Sequence, residues 1–112
     1  MKQKVIVIIS CPQECGDYTI DFISTFDGQI IKTITIGNAT DGSVNNEIFE
    51  RDNSKGIVRY YPERDYLAKS MWKDYHIKLP TTIKERYAIL PKDLAQMIAN
   101  KMDWQILGCY NY

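Results

Sequence analysis

"YTIDFISTFDGQIIKTITI", residues 18–36, decides the fold. From Tyr18 to Phe26 the side chains alternate: Tyr18, Ile20, Phe22, Ser24 and Phe26 share one face, and Thr19, Asp21, Ile23 and Thr25 the other. That period of two is the mark of a strand. Gln29 to Ile36 returns with the same period, Ile30, Lys32, Ile34 and Ile36 opposing Ile31, Thr33 and Thr35. Between the two runs, Asp27-Gly28 is a hairpin signal. A type I′ turn needs positive φ at both central residues, and glycine adopts it without a Cβ clash. The reading is an antiparallel hairpin.

Upstream, Lys4 to Ser10 is an apolar run that suits a third strand covered on both faces. Sixteen isoleucines against five leucines, with eight tyrosines, also favour a sheet. An AT-rich genome produces the same bias, so the count adds little weight. "MKQKVIVIISC" has the outline of a lipoprotein signal, but its apolar core, Val5 to Ile9, is shorter than the minimum of about seven residues for a secretory segment. A first strand is the expectation. No run approaches the ~20 apolar residues of a membrane span, so a cytoplasmic protein with no membrane association is expected.

Downstream, "GNATDGSVNN", residues 37–46, reads as a loop. Its spacing of Gly37, Gly42 and Ser43 has the outline of a phosphate-binding loop, but the lysine after the second glycine is absent and Asp41 would repel phosphate. Residues 47–56 are polar, and "NSKG" breaks the chain before a short strand, Ile57 to Tyr61. Pro62 then opens a helix running to Tyr75, with Glu63 and Asp65 at its positive end. Leu67, Ala68, Met71, Trp72 and Tyr75 form its apolar stripe; Lys69 and Lys73 lie off it.

His76 to Leu79 reads as a brief strand ended by Pro80. Thr82 and Glu85 match a capping box, yet "RYAIL", residues 86–90, also reads as a strand, and the strand is preferred. Pro91 to Met102 is a second amphipathic helix, with Leu94, Met97, Ile98 and Met102 on one face, and Trp104 to Tyr110 is a closing strand. With 45% apolar and 25% charged residues, the 112-residue chain is expected to fold as one α+β domain, residues 1–112, without help from a metal or disulfide. Its architecture is an antiparallel three-strand hairpin sheet extended by βαβ units with two amphipathic helices.

This order of elements is similar to that of the ribonuclease-H-like fold, a likeness of topology that covers no motif. Such nucleases gather several carboxylates around metal ions, one of them in the first strand. "KVIVIIS" has none, so no such nuclease activity is expected.

Cys11, Cys15, His76 and Cys109 span the readings open to the cysteines. A Cys₃His zinc site would rest on one tight pair and two scattered ligands. A disulfide is disfavoured in a reducing cytosol. A nucleophilic Cys11 lacks a nearby histidine or arginine to lower its pKa. The preferred reading is a turn made by Pro12 and Gly16, with thiols acting as small apolar groups. His76, directly after a helix, is read as a packed or capping residue, Asp17 with Asp21 as solvated strand acids, and Glu63 with Asp65 as helix-start acids. No catalytic residue, metal, cofactor or small-molecule substrate is inferred.

The net charge is zero, but residues 1–50 carry three Lys/Arg against seven Asp/Glu, and residues 51–101 carry eleven against six. "RYYPERDYLAKSMWKDYHIK", residues 59–78, followed by Lys84, Arg86 and Tyr87, interleaves cations with aromatics. Two readings follow. The first is a non-catalytic interaction protein, of a kind that phages and mobile elements encode. It would dock on a protein partner, or on itself as a dimer, through Tyr60, Tyr61, Arg64, Tyr66, Arg86 and Tyr87. The second is a nucleic-acid binder using Arg59, Arg64, Lys69, Lys73, Lys78, Lys84 and Arg86. A sequence pI near 6.6 is low for the second.

Overall fold

The computed structural model describes residues 2–10, 18–36, 48–52 and 54–111 of the chain. In chain order the elements are β1 (Gln3–Ser10), β2 (Tyr18–Ser24), β3 (Ile30–Ile36), β4 (Phe49–Asp52), β5 (Gly56–Tyr60), a 3₁₀ turn (Pro62–Arg64), α1 (Tyr66–Tyr75), α2 (Ile83–Ala88), α3 (Pro91–Met102) and β6 (Trp104–Asn111). The fold is α+β; the described residues form a mixed four-stranded sheet, a second two-stranded sheet and the three helices named. It divides into two compact units: residues 1–37 with 90–112, and residues 38–89. Among the described residues no helix is long and apolar enough to cross a membrane.

The first unit holds the sheet β3-β2-β1-β6, in which β1, β2 and β3 are antiparallel neighbours and β6 runs parallel to β1. The alternation read from the sequence sets its faces. Val5, Val7 and Ile9 of β1 and Ile20, Phe22 and Ser24 of β2 are buried, paired Val5 with Ser24, Val7 with Phe22 and Ile9 with Ile20. Ile6 and Ile8 are only half-buried, so β1 is covered fully on one face and not on both. Helix α3 lies against β1, β2 and β6 and buries Leu94, Ala95, Ile98 and Ala99. Pro91 at its first turn needs no hydrogen-bond acceptor there, and the Asp93 carboxylate accepts from the Leu90 N–H at 2.8 Å. Phe22 packs on Trp104 with ring centroids 5.3 Å apart.

The turn between β2 and β3 differs from the expected type I′. Gly28 has φ +73°, but Asp27 is not in the left-handed region. The Gly28 N–H donates to Ser24 O and the Ser24 N–H to Gln29 O, both at 2.9 Å, closing a four-residue connection over residues 25–28. Asp27 Oδ1 accepts from the Gln29 N–H instead, an Asx turn that needs no left-handed aspartate. A bulge then leaves Ile31 between the pairs Ile23–Ile30 and Phe22–Lys32. With β4 and β5 in a sheet of their own, the described strands do not establish a ribonuclease-H-like topology.

The second unit opens with a hairpin that the polar composition of residues 47–56 had hidden. Phe49 pairs with Tyr60 and Glu50 with Arg59 across β4 and β5, and Gly56, at φ +85°, follows the turn. Phe49 is buried, but four residues are too few for a period to show. The helix expected from Pro62 is interrupted: Pro62–Arg64 is a 3₁₀ turn, and α1 begins at Tyr66 because Asp65 Oδ1 accepts from the Ala68 N–H at 3.1 Å. At the other end His76 N–H donates to Trp72 O and Ile77 N–H to Met71 O, with His76 at φ 54°. His76 is therefore the helix cap, a left-handed position that histidine tolerates better than most side chains.

Two further expectations are corrected here. Residues 76–79 form no strand, although Ile77 and Leu79 are buried. Residues 83–88 are helix α2 and not part of a strand over 86–90. Thr82 Oγ1 accepts from the Glu85 N–H at 3.4 Å, and Ile83 and Arg86, three positions apart, are both buried.

Candidate interaction surface

The period of β5 sorts its residues onto two sides. Tyr60 turns inward, where its ring lies 5.1 Å from that of Phe49 and packs against a cluster of Ile48, Phe49 and Ile83. Arg59 and Tyr61 turn to the other side with Glu50, which pairs with Arg59 in the ladder. Tyr61 N–H donates to Ile48 O at 2.7 Å and so extends the hairpin by one residue.

On the inner side one carboxylate collects three donors from three elements. Asp65, 2% exposed, accepts from Arg86 Nη2 at 2.8 Å and Ala68 N–H at 3.1 Å through Oδ1, and from the Tyr60 hydroxyl at 2.9 Å through Oδ2. A buried carboxylate is tolerable only when paired and hydrogen-bonded, and this one is both. Arg86 is 5% exposed, and its Nε has no hydrogen-bond partner. It therefore leaves the set of docking candidates: its guanidinium fastens α2 to β5 and to the start of α1. The Tyr60 phenol is pushed up to about 12, first by burial and then by the Asp65 carboxylate it donates to.

Exposed cations and aromatics meet in two places, on the Tyr61 ring and on the Tyr66 ring. The Arg59 guanidinium carbon stands 4.8 Å and that of Arg64 4.3 Å from the centre of the Tyr61 ring. The Tyr61 hydroxyl donates to Glu50 Oε2, and that bond holds the phenol above its ordinary value. Lys69 Nζ donates to the Glu63 carbonyl oxygen at 2.6 Å and sits 5.4 Å from the centre of the Tyr66 ring. Trp72 is 55% exposed, with the His76 ring edge-on at 5.0 Å, although helical spacing had placed it on the core stripe. In that stripe only Met71 is fully buried. Lys73, one turn beyond Lys69, is also exposed.

Neither ion pair among the described residues, Asp65–Arg86 or Lys2–Asp103, engages Arg59 or Arg64. Among the described residues no carboxylate forms an ion pair with either, and the Tyr61 ring orients both, a contact worth about 0.5–1 kcal/mol at an exposed site. Lys78 and Lys84 are exposed, but no described contact joins them to this group. The Tyr87 side chain lies outside the described residues, as do Cys11, Cys15 and the loop at 37–46. Cys109 is an exposed free thiol. Among the described residues no three His, Cys, Asp or Glu side chains are placed to hold a metal.

Charge divides differently by unit than by sequence half. Residues 38–89 carry nine Lys/Arg against eight Asp/Glu, and the remaining residues five against six. The basic half of the chain is thus a nearly neutral unit with a locally basic, aromatic side. No family model, curated protein or solved structure matches the chain.

Two outcomes test this geometry. Arg86→Met and Asp65→Ala should each lower the unfolding free energy by about 3–5 kcal/mol, because each leaves a buried charge without its partner. The double variant should fall well short of their sum in urea titrations. Tyr60 also gives a pH signature. Unfolded tyrosine ionises near pH 10 and Tyr60 near 12, so the unfolded chain gives up its proton first. Stability from this group is whole below pH 10 and declines between pH 10 and 12, a decline that Tyr60→Phe should reduce.

Proposed function

We propose that residues 38–89 form a non-catalytic docking module that binds an acidic segment of a protein partner through Arg59, Tyr61, Arg64, Tyr66, Lys69 and Trp72. The observation that carries this reading is the pair of exposed guanidiniums held over one tyrosine ring, with no carboxylate of the described residues in an ion pair with them. Arginine, tyrosine and tryptophan are the side chains that dominate protein interfaces, since each buries a large rigid surface and keeps a polar handle. A partner carboxylate would find bidentate donors on Arg59 or Arg64, and an adjoining aromatic would find Trp72 and Tyr66.

Nucleic acid is the lesser reading. Arg86 is unavailable, Glu50 sits within the cluster, and nine cations against eight anions make a weak field for a phosphate chain. The Tyr61 ring is already occupied by its own arginines, which leaves fewer platforms for base stacking.

The test is a quantitative pull-down from lysate of the source organism with wild type, Arg59→Ala/Arg64→Ala, Trp72→Ala and Lys78→Ala. A partner held by wild type and by Lys78→Ala should be depleted at least about tenfold with the other two variants. Trp72→Ala should leave the unfolding free energy within about 0.5 kcal/mol of wild type, as an exposed residue does. Single-stranded and duplex DNA or RNA should produce no mobility shift at low salt. A shift that weakens log-linearly with salt, or partner retention indifferent to all the variants, overturns the reading.

A further inference from the structure

The first unit carries a second surface of a different kind: the outer edge of β3. One side of β3 is hydrogen-bonded to β2, and no described strand pairs with the other. An open edge presents a row of backbone donors and acceptors, and proteins usually blunt it with proline, outward lysines, a bulge or a short strand. The strand "IIKTITI" has seven residues, no proline and no glycine. Its one bulge is at Ile31, beside the turn, and its one charge, Lys32, is half-buried. Ile30, Ile31, Thr33 and Thr35 are exposed. The opposite edge, β6, is interrupted. Its pairing with β1 shifts between Val5 and Ile6, and the Tyr110 ring covers Gly108 so closely that a Cβ there would meet it at 3.0 Å.

The geometry points to a second copy of this chain as the occupant of the β3 edge. We infer an antiparallel β3–β3 pairing about a two-fold axis at Thr33, which joins two four-stranded sheets into one of eight strands. Only an extended strand satisfies a row of unpaired backbone groups, and a two-fold axis lets one strand satisfy its own copy in a closed dimer. The register centred on Thr33 is self-complementary. It sets Thr33 opposite Thr33, Ile31 opposite Thr35, and Lys32 opposite Ile34, so that no lysine faces a lysine. With a formal net charge of zero at pH 7, two copies meet without long-range repulsion.

This edge lies in the other unit from the docking surface, so each proposal stands or falls alone. The test is sedimentation equilibrium of the full chain over a wide concentration range. Wild type, Thr33→Val and Trp72→Ala should dimerise. Thr33→Lys combined with Asp21→Asn, which sets two ammonium groups across the axis and removes the carboxylate of β2 that would neutralise them, should weaken dimerisation at least tenfold, while Asp21→Asn alone should dimerise as wild type does. Circular dichroism checks that each variant is folded. A second measurement reads the register without weakening the dimer. With the native cysteines replaced by serine, Thr33→Cys should cross-link two copies under mild oxidation, because paired antiparallel Cα atoms lie ~4.5–5.5 Å apart, within disulfide reach. Thr35→Cys should not. A monomer at every concentration, a Thr33→Lys/Asp21→Asn dimer as tight as wild type, a dimer dispersed by Trp72→Ala instead, or cross-linking at Thr35 and not at Thr33 would overturn the inference.

Discussion

The carboxylate of Asp65 is the constraint on which the second unit depends. It caps α1, holds the Tyr60 hydroxyl of β5 and pairs with Arg86 of α2, while the Asp65 N–H closes the preceding 3₁₀ turn on Pro62 O. Three elements thus meet at two oxygen atoms, the farthest donor, Arg86, lying 21 positions from Asp65 in sequence. A buried ion pair adds little net stability against an apolar replacement, because desolvation offsets most of its attraction. What it does supply is selection among packings. An alternative arrangement that separated these groups would strand a charge in the interior at a cost of several kcal/mol.

That inner network decides what faces outward. With Tyr60 drawn toward Asp65 and stacked on Phe49, the two-residue period of β5 sends Arg59 and Tyr61 to the other side. The 3₁₀ turn imposed before the Asp65 cap brings Arg64 back over the Tyr61 ring, and the start of α1 brings Lys69 to the Glu63 carbonyl. The same pair that stabilises the interior removes Arg86 from the surface. Local charge at the surface is therefore set by burial, and counting basic residues along the chain misjudges it.

Legibility followed periodicity and length. The hairpin over residues 18–36 and helix α3 could be read because each repeats its pattern long enough for one face to be recognised. The connection at Asp27-Gly28 was read as a hairpin but given the wrong turn, since the Asp27 side chain closes an Asx turn that the dipeptide alone does not distinguish from type I′. β4 has too few residues to show alternation. Residues 86–90 look β-prone in isolation, yet the Thr82 cap and the three-residue spacing of Ile83 and Arg86 prevail once both are buried. Of the proposed contact residues, Arg59 and Arg64 meet on the Tyr61 ring, and Lys69 meets that of Tyr66. Lys78 and Lys84 do not join them, and the exposure of Trp72 was missed because a helical wheel cannot tell the rim of an apolar stripe from its centre. Asp65 had one legible signal, its place just before the run Tyr66–Tyr75, where an N-cap belongs.

Native-state hydrogen exchange tests the role of Asp65 most directly. The Ala68 amide donates to Asp65, the Tyr61 amide to Ile48 O and the Arg86 amide to Thr82 O, so each reports on a different element. If Asp65 ties those elements into one cooperative body, the three amides share one opening free energy, and Asp65→Ala lowers all three together. Separate opening free energies for α1, β5 and α2, with only the Ala68 amide responding to Asp65→Ala, would contradict the account.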